Sequence, residues 1–267
     1  MLDIMERITS FISGIGRRVF SILDFAGFTI LLFFRAMFYL KNIVRRRREI
    51  ARQMFNAGVR TFAVVSVVAL FTGMILTLQT GLALQEYRME ESIGNVVIAT
   101  LTREMGPFTA AIILIASIGS AMAAELGTMK VSEEIDALEV MSVRPEDYLV
   151  MPRIVALTVM LPVATIYVNT LGVIGGALIA DTHLGVSYGT FYQHVLESLW
   201  FKPTYVGLFK SFIFGIIIAS ISCAHGLRAR DGARGVGRAT RNSVVAAFLM
   251  ILIVGYYITD IFFRGGL

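Results

Sequence analysis

The sequence predicts an all-α integral membrane protein, and three observations lead to this prediction. Apolar residues make up 56% of the chain, and the mean hydropathy is +0.74. Only 16% of the residues are charged, which is low for a soluble protein of 267 residues. Long apolar runs recur and are separated by segments that hold most of the charges. We therefore expect one membrane domain over residues 1-267, with an N-terminal interfacial helix followed by five transmembrane helices.

The first apolar stretch, Phe25 to Leu40, is predicted to lie on the membrane rather than to cross it. It is short, Asp24 precedes it, Arg35 interrupts it, and the basic run Arg45 to Arg48 follows. Because a transmembrane helix needs about 20 apolar residues, we expect an interfacial helix within residues 1-52 whose basic flank faces anionic headgroups. A true transmembrane helix is the alternative.

Five longer apolar stretches are predicted to form the transmembrane bundle of residues 55-267. Each is long enough to cross a hydrocarbon core of about 30 Å at about 1.5 Å per residue. Small residues four positions apart, such as Gly172 and Gly176, would let neighbouring helices approach closely, although glycine is common in membrane helices generally. The five stretches are Thr61 to Leu84, Val96 to Ala124, Tyr148 to Ala180, Thr204 to His225 and Ser243 to Phe263.

The distribution of Lys and Arg predicts the orientation. With a cytoplasmic N-terminus, 19 of the 24 basic residues lie on the cytoplasmic side, in Met1 to Arg60, Glu125 to Arg153 and Leu227 to Arg241. The positive-inside rule therefore places the N-terminus in the cytoplasm and the C-terminus outside. The net charge of +5 follows this topology and does not indicate nucleic-acid binding.

Several classes of chemistry lack a sequence signal. The single cysteine excludes an internal disulfide, and the three histidines lack metal-ligand spacing. The glycine-rich segment Gly232 to Thr240 has no Walker A lysine, and no Ser/His/Asp order or HExxH motif is present. The N-terminal MLDIMERITSF resembles neither a cleavable signal peptide nor a transit peptide. We predict no catalytic residue, no metal site and no cofactor.

Charged residues inside two predicted transmembrane helices mark a candidate site. Arg103 and Glu104 lie in the second helix and Lys210 in the fourth, at similar depths below the outer boundary. Each would cost about 2.5 to 3.5 kcal/mol at the bilayer centre. They indicate a polar cavity lining, whereas snorkelling of Arg103 and Lys210 to the headgroups is the structural alternative. An intramembrane enzyme with Glu104 as general acid or base is a functional alternative.

The segment Glu125 to Met141, here the coupling segment, is too acidic to face lipid. We predict a helix capped by Ser132, with a narrow apolar stripe on an acidic surface. Such a helix can fill a groove in a partner protein, or it can pack on its own bundle. The predicted stripe comprises Val131, Ile135 and Leu138, and the acidic surface comprises Glu133, Glu134, Asp136 and Glu139.

These motifs carry a resemblance to a known family. The relevant stretches are REMGP from Arg103, AELGTMKVSEEIDALEVM from Ala124, VRPEDYLVMPR from Val143 and GVGRATRNSVV from Gly235. Together they resemble the MlaE/YrbE-type permeases of bacterial ABC lipid transporters associated with MCE proteins. The resemblance covers nearly the whole chain.

The resemblance implies a homodimeric permease in the bacterial inner membrane, with a fold similar to one half of an ABCA/ABCG-type exporter. It implies a coupling helix at about 128-141 seated in a cytoplasmic ATPase, which binds ATP in place of this chain. An extracytoplasmic MCE-domain protein and a phospholipid, or a similar hydrophobic substrate, are the other implied partners; a passive scaffold or channel is a further alternative. The implied coupling residues are Glu125, Gly127, Thr128, Met129, Val131, Glu133, Glu134, Ile135, Asp136 and Leu138.

The resemblance also assigns the cavity residues. Arg103, Glu104 and Lys210 fall on family positions associated with the polar lining of the lipid path. Relatives often have Asp before the aromatic pair of the last helix, where this chain has Gly255. With that carboxylate missing, Glu104 is the predicted partner of Lys210.

Overall fold

The computed structural model describes residues 2-89, 92-198 and 201-264, and every regular element within them is a helix. The predicted all-α membrane fold is therefore confirmed. We number the helices of the described residues in chain order, and a short 3₁₀ turn, Tyr39–Asn42, follows the first of them. They are α1 Leu2–Phe38, α2 Arg47–Val59, α3 Phe62–Gln85, α4 Ile93–Val131, α5 Glu134–Val140, α6 Glu146–Leu184, α7 Tyr188–Glu197, α8 Phe201–Leu227 and α9 Gly232–Arg264.

Five of these helices coincide with the five predicted transmembrane stretches, namely α3, α4, α6, α8 and α9, and each is long and apolar enough to cross a membrane. A sixth apolar segment of sufficient length, Phe20–Asn42, includes the end of α1. This segment extends beyond the predicted stretch Phe25 to Leu40, so length alone does not separate a spanning helix from an interfacial one. Its interfacial placement stays a prediction that rests on Asp24 and Arg35.

Helix α6 forms the centre of the bundle, between α3 and α8. The backbones of α6 and α3 touch directly, with no room for a side chain between them. A Cβ on Gly73 would lie only 1.9 Å from the carbonyl oxygen of Gly172. At Gly176, a Cβ would lie 2.4 Å from the hydroxyl of Thr77. The pair Gly172 and Gly176 therefore has the predicted role of letting two membrane helices approach closely.

The coupling segment is not one helix, and its predicted cap is wrong. Helix α4 continues to Val131, and Ser132 ends it, with the Ser132 N–H donating to the carbonyl of Thr128 at 2.9 Å. Glu133 then adopts a left-handed conformation with φ of 60°, and the short α5 begins at Glu134. Because the left-handed residue turns the chain, Ser132 lies at the end of one helix rather than at the start of the next.

Ion pairs connect the N-terminal region to the start of α6. Arg46 lies 2.7 Å from the carboxylate of Asp147, and Asn42 donates to the same carboxylate at 2.9 Å. Arg35 lies 3.3 Å from Glu146. The first helix and the turn after it are thus held beside the chain that follows the coupling segment.

Candidate transport site and coupling segment

Lys210 is the centre of a charged cluster between α4, α8 and α9. Its side chain is 1% exposed, and its Nζ lies 2.7 Å from Glu104 Oε1. The same ammonium group donates to the hydroxyl of Thr259 at 2.6 Å and to the carbonyl of Arg103 at 3.2 Å. A lysine ammonium has three protons, so every donor of this buried charge has an acceptor. We call Arg103, Glu104, Lys210 and Thr259 the charged layer.

The Arg103 carbonyl is available to Lys210 because of the local sequence of α4. A proline at 107 has no N–H to donate to the carbonyl four residues earlier, which is that of Arg103. The helix widens into a π turn at Leu101–Met105, where the Gly106 N–H donates to the Leu101 carbonyl. Such π turns occur frequently at functional sites. The motif REMGP thus supplies both the carboxylate and a free backbone acceptor.

A close helix contact brings Lys210 to this acceptor. A Cβ on Gly207 would lie 1.9 Å from the carbonyl oxygen of Thr102, so α8 touches the backbone of α4 directly. Gly207 precedes Lys210 by about one helical turn on α8. Only glycine permits this approach, which holds Lys210 against the π turn.

Thr259 belongs to the charged layer although the sequence reasoning did not select it. Its hydroxyl lies 2.8 Å from Glu104 Oε1 and 2.9 Å from the carbonyl oxygen of Gly255. Gly255 itself is packed near Phe214, where a Cβ would come within 3.1 Å of the ring. The side chain that α9 adds to the charged layer is therefore that of Thr259, one helical turn after Gly255. Residues four positions apart share a face of a helix, so the predicted role of Gly255 could have pointed to Thr259.

Arg103 and Glu104 connect the charged layer to the surface of the chain. Their side chains are 40% and 39% exposed, and Arg103 Nε lies 3.8 Å from Glu104 Oε1. The Arg103 guanidinium stacks on Phe263 at 3.6 Å from the ring centroid. The predicted partnership of Glu104 with Lys210 is present, and Arg103 lies beside Glu104.

The apolar stripe of the coupling segment lies against the chain's own bundle. Ile135 is 3% exposed and packs in the core of this chain, and Leu138 packs beside that core. Of the two alternatives left open for the apolar stripe, Ile135 and Leu138 follow the second, because they pack on the bundle of their own chain. Two apolar residues that the sequence reasoning missed are exposed instead, Val140 at 87% and Met141 at 65%.

The ten implied coupling residues divide by exposure into three groups. Gly127 and Ile135 are buried. The exposed residues are Glu125, Thr128, Glu133, Glu134 and Asp136, and the half-buried residues are Met129, Val131 and Leu138.

The acidic residues of the coupling segment are paired unequally. Asp136 lies 2.6 Å from Lys130, and Glu125 lies 3.1 Å from the buried Arg153. Within the described part of the chain, no cation lies within ion-pair distance of the other three, which are exposed: Glu133, Glu134 and Glu139. In the same residues, no group of three His, Cys, Asp or Glu side chains is placed to hold a metal ion.

Comparison with known proteins identifies the family. The family model described as Permease MlaE matches residues 50–261. A probable ABC transporter permease protein of Rickettsia conorii is 34% identical over 259 residues, covering 97% of this chain and 96% of the relative. One from Synechocystis is 36% identical over 82% of this chain and 83% of its own length.

A plant protein is also similar. TRIGALACTOSYLDIACYLGLYCEROL 1, chloroplastic, of Arabidopsis thaliana is 34% identical over 82% of this chain and 62% of its own length. The family match covers both the charged layer and the coupling segment. This chain therefore belongs to the MlaE permease family of ABC transporters.

Proposed function

We propose that this chain is the permease subunit of a transporter that moves phospholipid, or a similar hydrophobic substrate, between the bacterial inner membrane and an extracytoplasmic MCE-domain partner. A separate cytoplasmic ATPase binds and hydrolyses the ATP. Two copies of the chain form the permease, with the N-terminus in the cytoplasm and the C-terminus outside.

The observation that carries this proposal is the charged layer. A fully buried lysine is held by a carboxylate, a hydroxyl and a carbonyl within membrane helices, while Arg103 and Glu104 stay about two-fifths exposed. Charged side chains exposed to acyl chains are costly, and in membrane proteins they face cavities or partners. The face of the chain that bears Arg103 and Glu104 therefore borders a cavity rather than bulk lipid.

The charge of this layer suits a phospholipid. Arg103 and Lys210 carry two positive charges against the single negative charge of Glu104, so the layer has a net charge of +1. A phosphate diester carries one negative charge, and an arginine guanidinium can bind it through two parallel hydrogen bonds. Exposed apolar side chains on α9, such as Leu252, Ile253 and Tyr256, offer a surface for acyl chains beside it.

A second copy of the chain completes the cavity in this proposal. Only 17% of the apolar window in α9 is buried within the protomer, and that of α8 is 67% buried. An exposed α9 bearing part of a polar cluster is suited to face its symmetry mate across a substrate cavity. The MCE-domain partner would exchange lipid with the permease where this cavity opens, near the C-terminal end of α9.

Energy reaches the charged layer along α4. This helix carries Glu104 in its first half and ends at Val131, directly before the coupling segment. Movement of α5 by the ATPase would displace the end of α4, and the two π turns at Leu101–Met105 and Ile115–Gly119 are places where the helix can adjust. Nucleotide then biases two arrangements of the same permease, which itself binds no ATP.

Transport by the reconstituted complex tests the proposal. Vesicles containing the permease and its ATPase would be assayed for ATP-dependent transfer of a fluorescent phospholipid to the MCE-domain protein. We expect Glu104→Gln to lower the rate about tenfold or more, because a charge-assisted contact is lost. Glu86→Gln, which changes an exposed residue after α3, should transport normally.

The alternatives give different results in the same assay. Transfer that is indifferent to ATP would identify a passive channel. Chemical conversion of the lipid without the ATPase would identify an enzyme. Normal transport by Glu104→Gln would remove the role of the charged layer.

A further inference from the structure

A second cavity lies at the opposite end of the bundle from the charged layer. It is an open cleft with a volume of about 810 Å³, and it is lined by α1, the end of α8 and the start of α9. Arg228, at its rim, follows Lys210 by eighteen positions, or about 27 Å along the helix axis. The volume is within the range of about 300–1,000 Å³ that is typical of ligand sites. The cavity is thus separate from the proposed transport site.

The rim of this cavity is basic. Arg228, Arg230 and Arg238 line it together with Asp24 and Asp231. Arg228 pairs with Asp24, and Arg238 lies 2.5 Å from Asp231. Within the described residues, Arg230 has no carboxylate within ion-pair distance. The rim therefore carries a surplus positive charge.

The ion pairs at the rim leave the arginines open to an anionic ligand. In the pair of Arg238 with Asp231, the side chains are 61% and 71% exposed. Exposed ion pairs contribute only about 0–1 kcal/mol, so a phosphate can compete for the guanidinium groups. The planar guanidinium group of arginine also matches the geometry of a phosphate, which it binds through two parallel hydrogen bonds.

The floor of the cavity is apolar. Phe25 stacks on His225 with ring centroids 4.1 Å apart, and this pair forms one wall. Val245 and Leu249, which lie one helical turn apart on α9, form a second wall. Their side chains are 53% and 52% exposed. They continue from the basic rim into the apolar part of a membrane helix. A ligand with an anionic head and an apolar body would match both the rim and the floor.

We propose that this cavity binds an anionic phospholipid, with its phosphate among Arg228, Arg230 and Arg238 and an acyl chain along Val245 and Leu249. The lipid comes from the leaflet on the basic side of the membrane. Naming that leaflet the cytoplasmic one rests on the proposed topology, whereas the binding does not. A lipid bound here joins α1 to the bundle at a site distinct from the transported lipid.

Native mass spectrometry of the purified full chain in detergent tests this proposal, with dioleoylphosphatidylglycerol as the probe. The double variant Arg230→Gln/Arg238→Gln should bind the probe about tenfold more weakly, because two charge-assisted contacts are lost. Arg234→Gln/Arg241→Gln is the matched control, since it removes two exposed arginines of the same region that do not line the cavity.

A second pair of variants tests the apolar floor. Leu249→Trp should fill the space for the acyl chain and lower the affinity several-fold, while Ile75→Trp changes an exposed apolar residue of α3 outside the cavity and should leave the affinity unchanged. Equal loss in the rim and control double variants would overturn the proposal, as would equal binding of dioleoylphosphatidylcholine. Displacement of the probe by soluble glycerol phosphate would show a simple anion pocket and would also overturn it.

This binding measurement is independent of transport. Specific binding of the anionic lipid by a permease that fails the transport assay would refute the proposed function and leave this inference standing. Loss of specific binding in a permease that transports normally would do the reverse.

Discussion

The charged layer and the coupling segment hold their charges in opposite ways. Lys210 is 1% exposed and has an acceptor for each proton, whereas Asp136 of the coupling segment is 52% exposed and pairs with Lys130. A buried charge must be fully paired, because moving it out of water costs several kcal/mol in a protein. The idealised cost of moving an ion into a medium of low dielectric constant is about 20 kcal/mol. An exposed charge needs no partner. Charges in the first region therefore constrain the fold, and those in the second are free to meet another protein.

The two regions also use backbone geometry differently. In the charged layer, Pro107 and Gly207 fix the approach of α4 and α8 to within direct backbone contact. In the coupling segment, the left-handed Glu133 turns the chain out of α4. One region is rigid by packing, and the other is a short exposed helix at the end of a long one. A permease that is driven by a separate ATPase needs both kinds of region.

The largest effect on stability should come from removing one member of the ion pair between Glu104 and the buried Lys210. Glu104→Leu leaves the Lys210 ammonium without its carboxylate, and we expect the free energy of unfolding to fall by about 3 kcal/mol. This figure is at the lower end for buried pairs because Glu104 is itself 39% exposed. Thermal unfolding of the detergent-purified protein measures it.

The double variant Glu104→Leu/Lys210→Met is the control for this prediction. With both charges replaced by apolar groups, most of the lost stability should return, because no buried charge is left without a partner; Arg103 also loses Glu104, but its side chain is 40% exposed. Transport should stay impaired, since the layer has lost both the carboxylate and the ammonium group, although its net charge stays at +1. A single variant as stable as the double one would contradict the pairing.

The next effect should come from the helix contact that positions Lys210. Gly207→Ala places a Cβ against the carbonyl of Thr102, and we expect a loss of about 2 kcal/mol from overpacking. Gly237→Ala, within α9, has nothing within 4 Å of the new Cβ and should be neutral or slightly stabilising. Equal unfolding temperatures for the two variants would show that α8 and α4 can separate without cost.

Much of the fold could be predicted from the sequence because apolar length is a local property. The five transmembrane stretches and the close contact at Gly172 follow from spacing along helices. Spacing also places Glu104 and Lys210 at equal depth, and the family resemblance then selects Lys210 as the partner of Glu104. The depth of a residue in the membrane follows from its position along a transmembrane helix. Two charges at equal depth in a thin layer have few other partners.

Other features depend on how the helices are rotated, which spacing does not give. Thr259 is an ordinary helical threonine until α9 is placed against α8. The stripe of Ile135 and Leu138 has the same pattern whether it faces a partner or its own bundle, and only the turn at Glu133 decides this. The cap at Ser132 was mispredicted for a related reason, because a serine can end a helix as well as start one.

A smaller effect should come from Thr259, which supports the pair without carrying charge. Thr259→Val keeps the shape of the side chain and removes one acceptor of Lys210, and we expect a loss of about 1 kcal/mol. Thr170→Val is the control, because that exposed hydroxyl contacts only the carbonyl of Ile166 in its own helix. The difference between the two unfolding temperatures isolates the contribution to the charged layer. No difference would mean that the hydroxyl of Thr259 is dispensable.

The smallest effect on stability, combined with a large effect on assembly, is expected in the coupling segment. Val140 is 87% exposed, so Val140→Asp should change the free energy of unfolding by no more than about 0.5 kcal/mol. If the exposed end of α5 enters a groove of the ATPase, an added carboxylate there should abolish co-purification of the two proteins. Val44→Asp makes the same change at a site that is 73% exposed, outside the coupling segment, and should leave the complex intact. Retention of the ATPase by Val140→Asp would place the docking surface elsewhere, whereas its loss with unchanged unfolding would separate assembly from stability as the two regions predict.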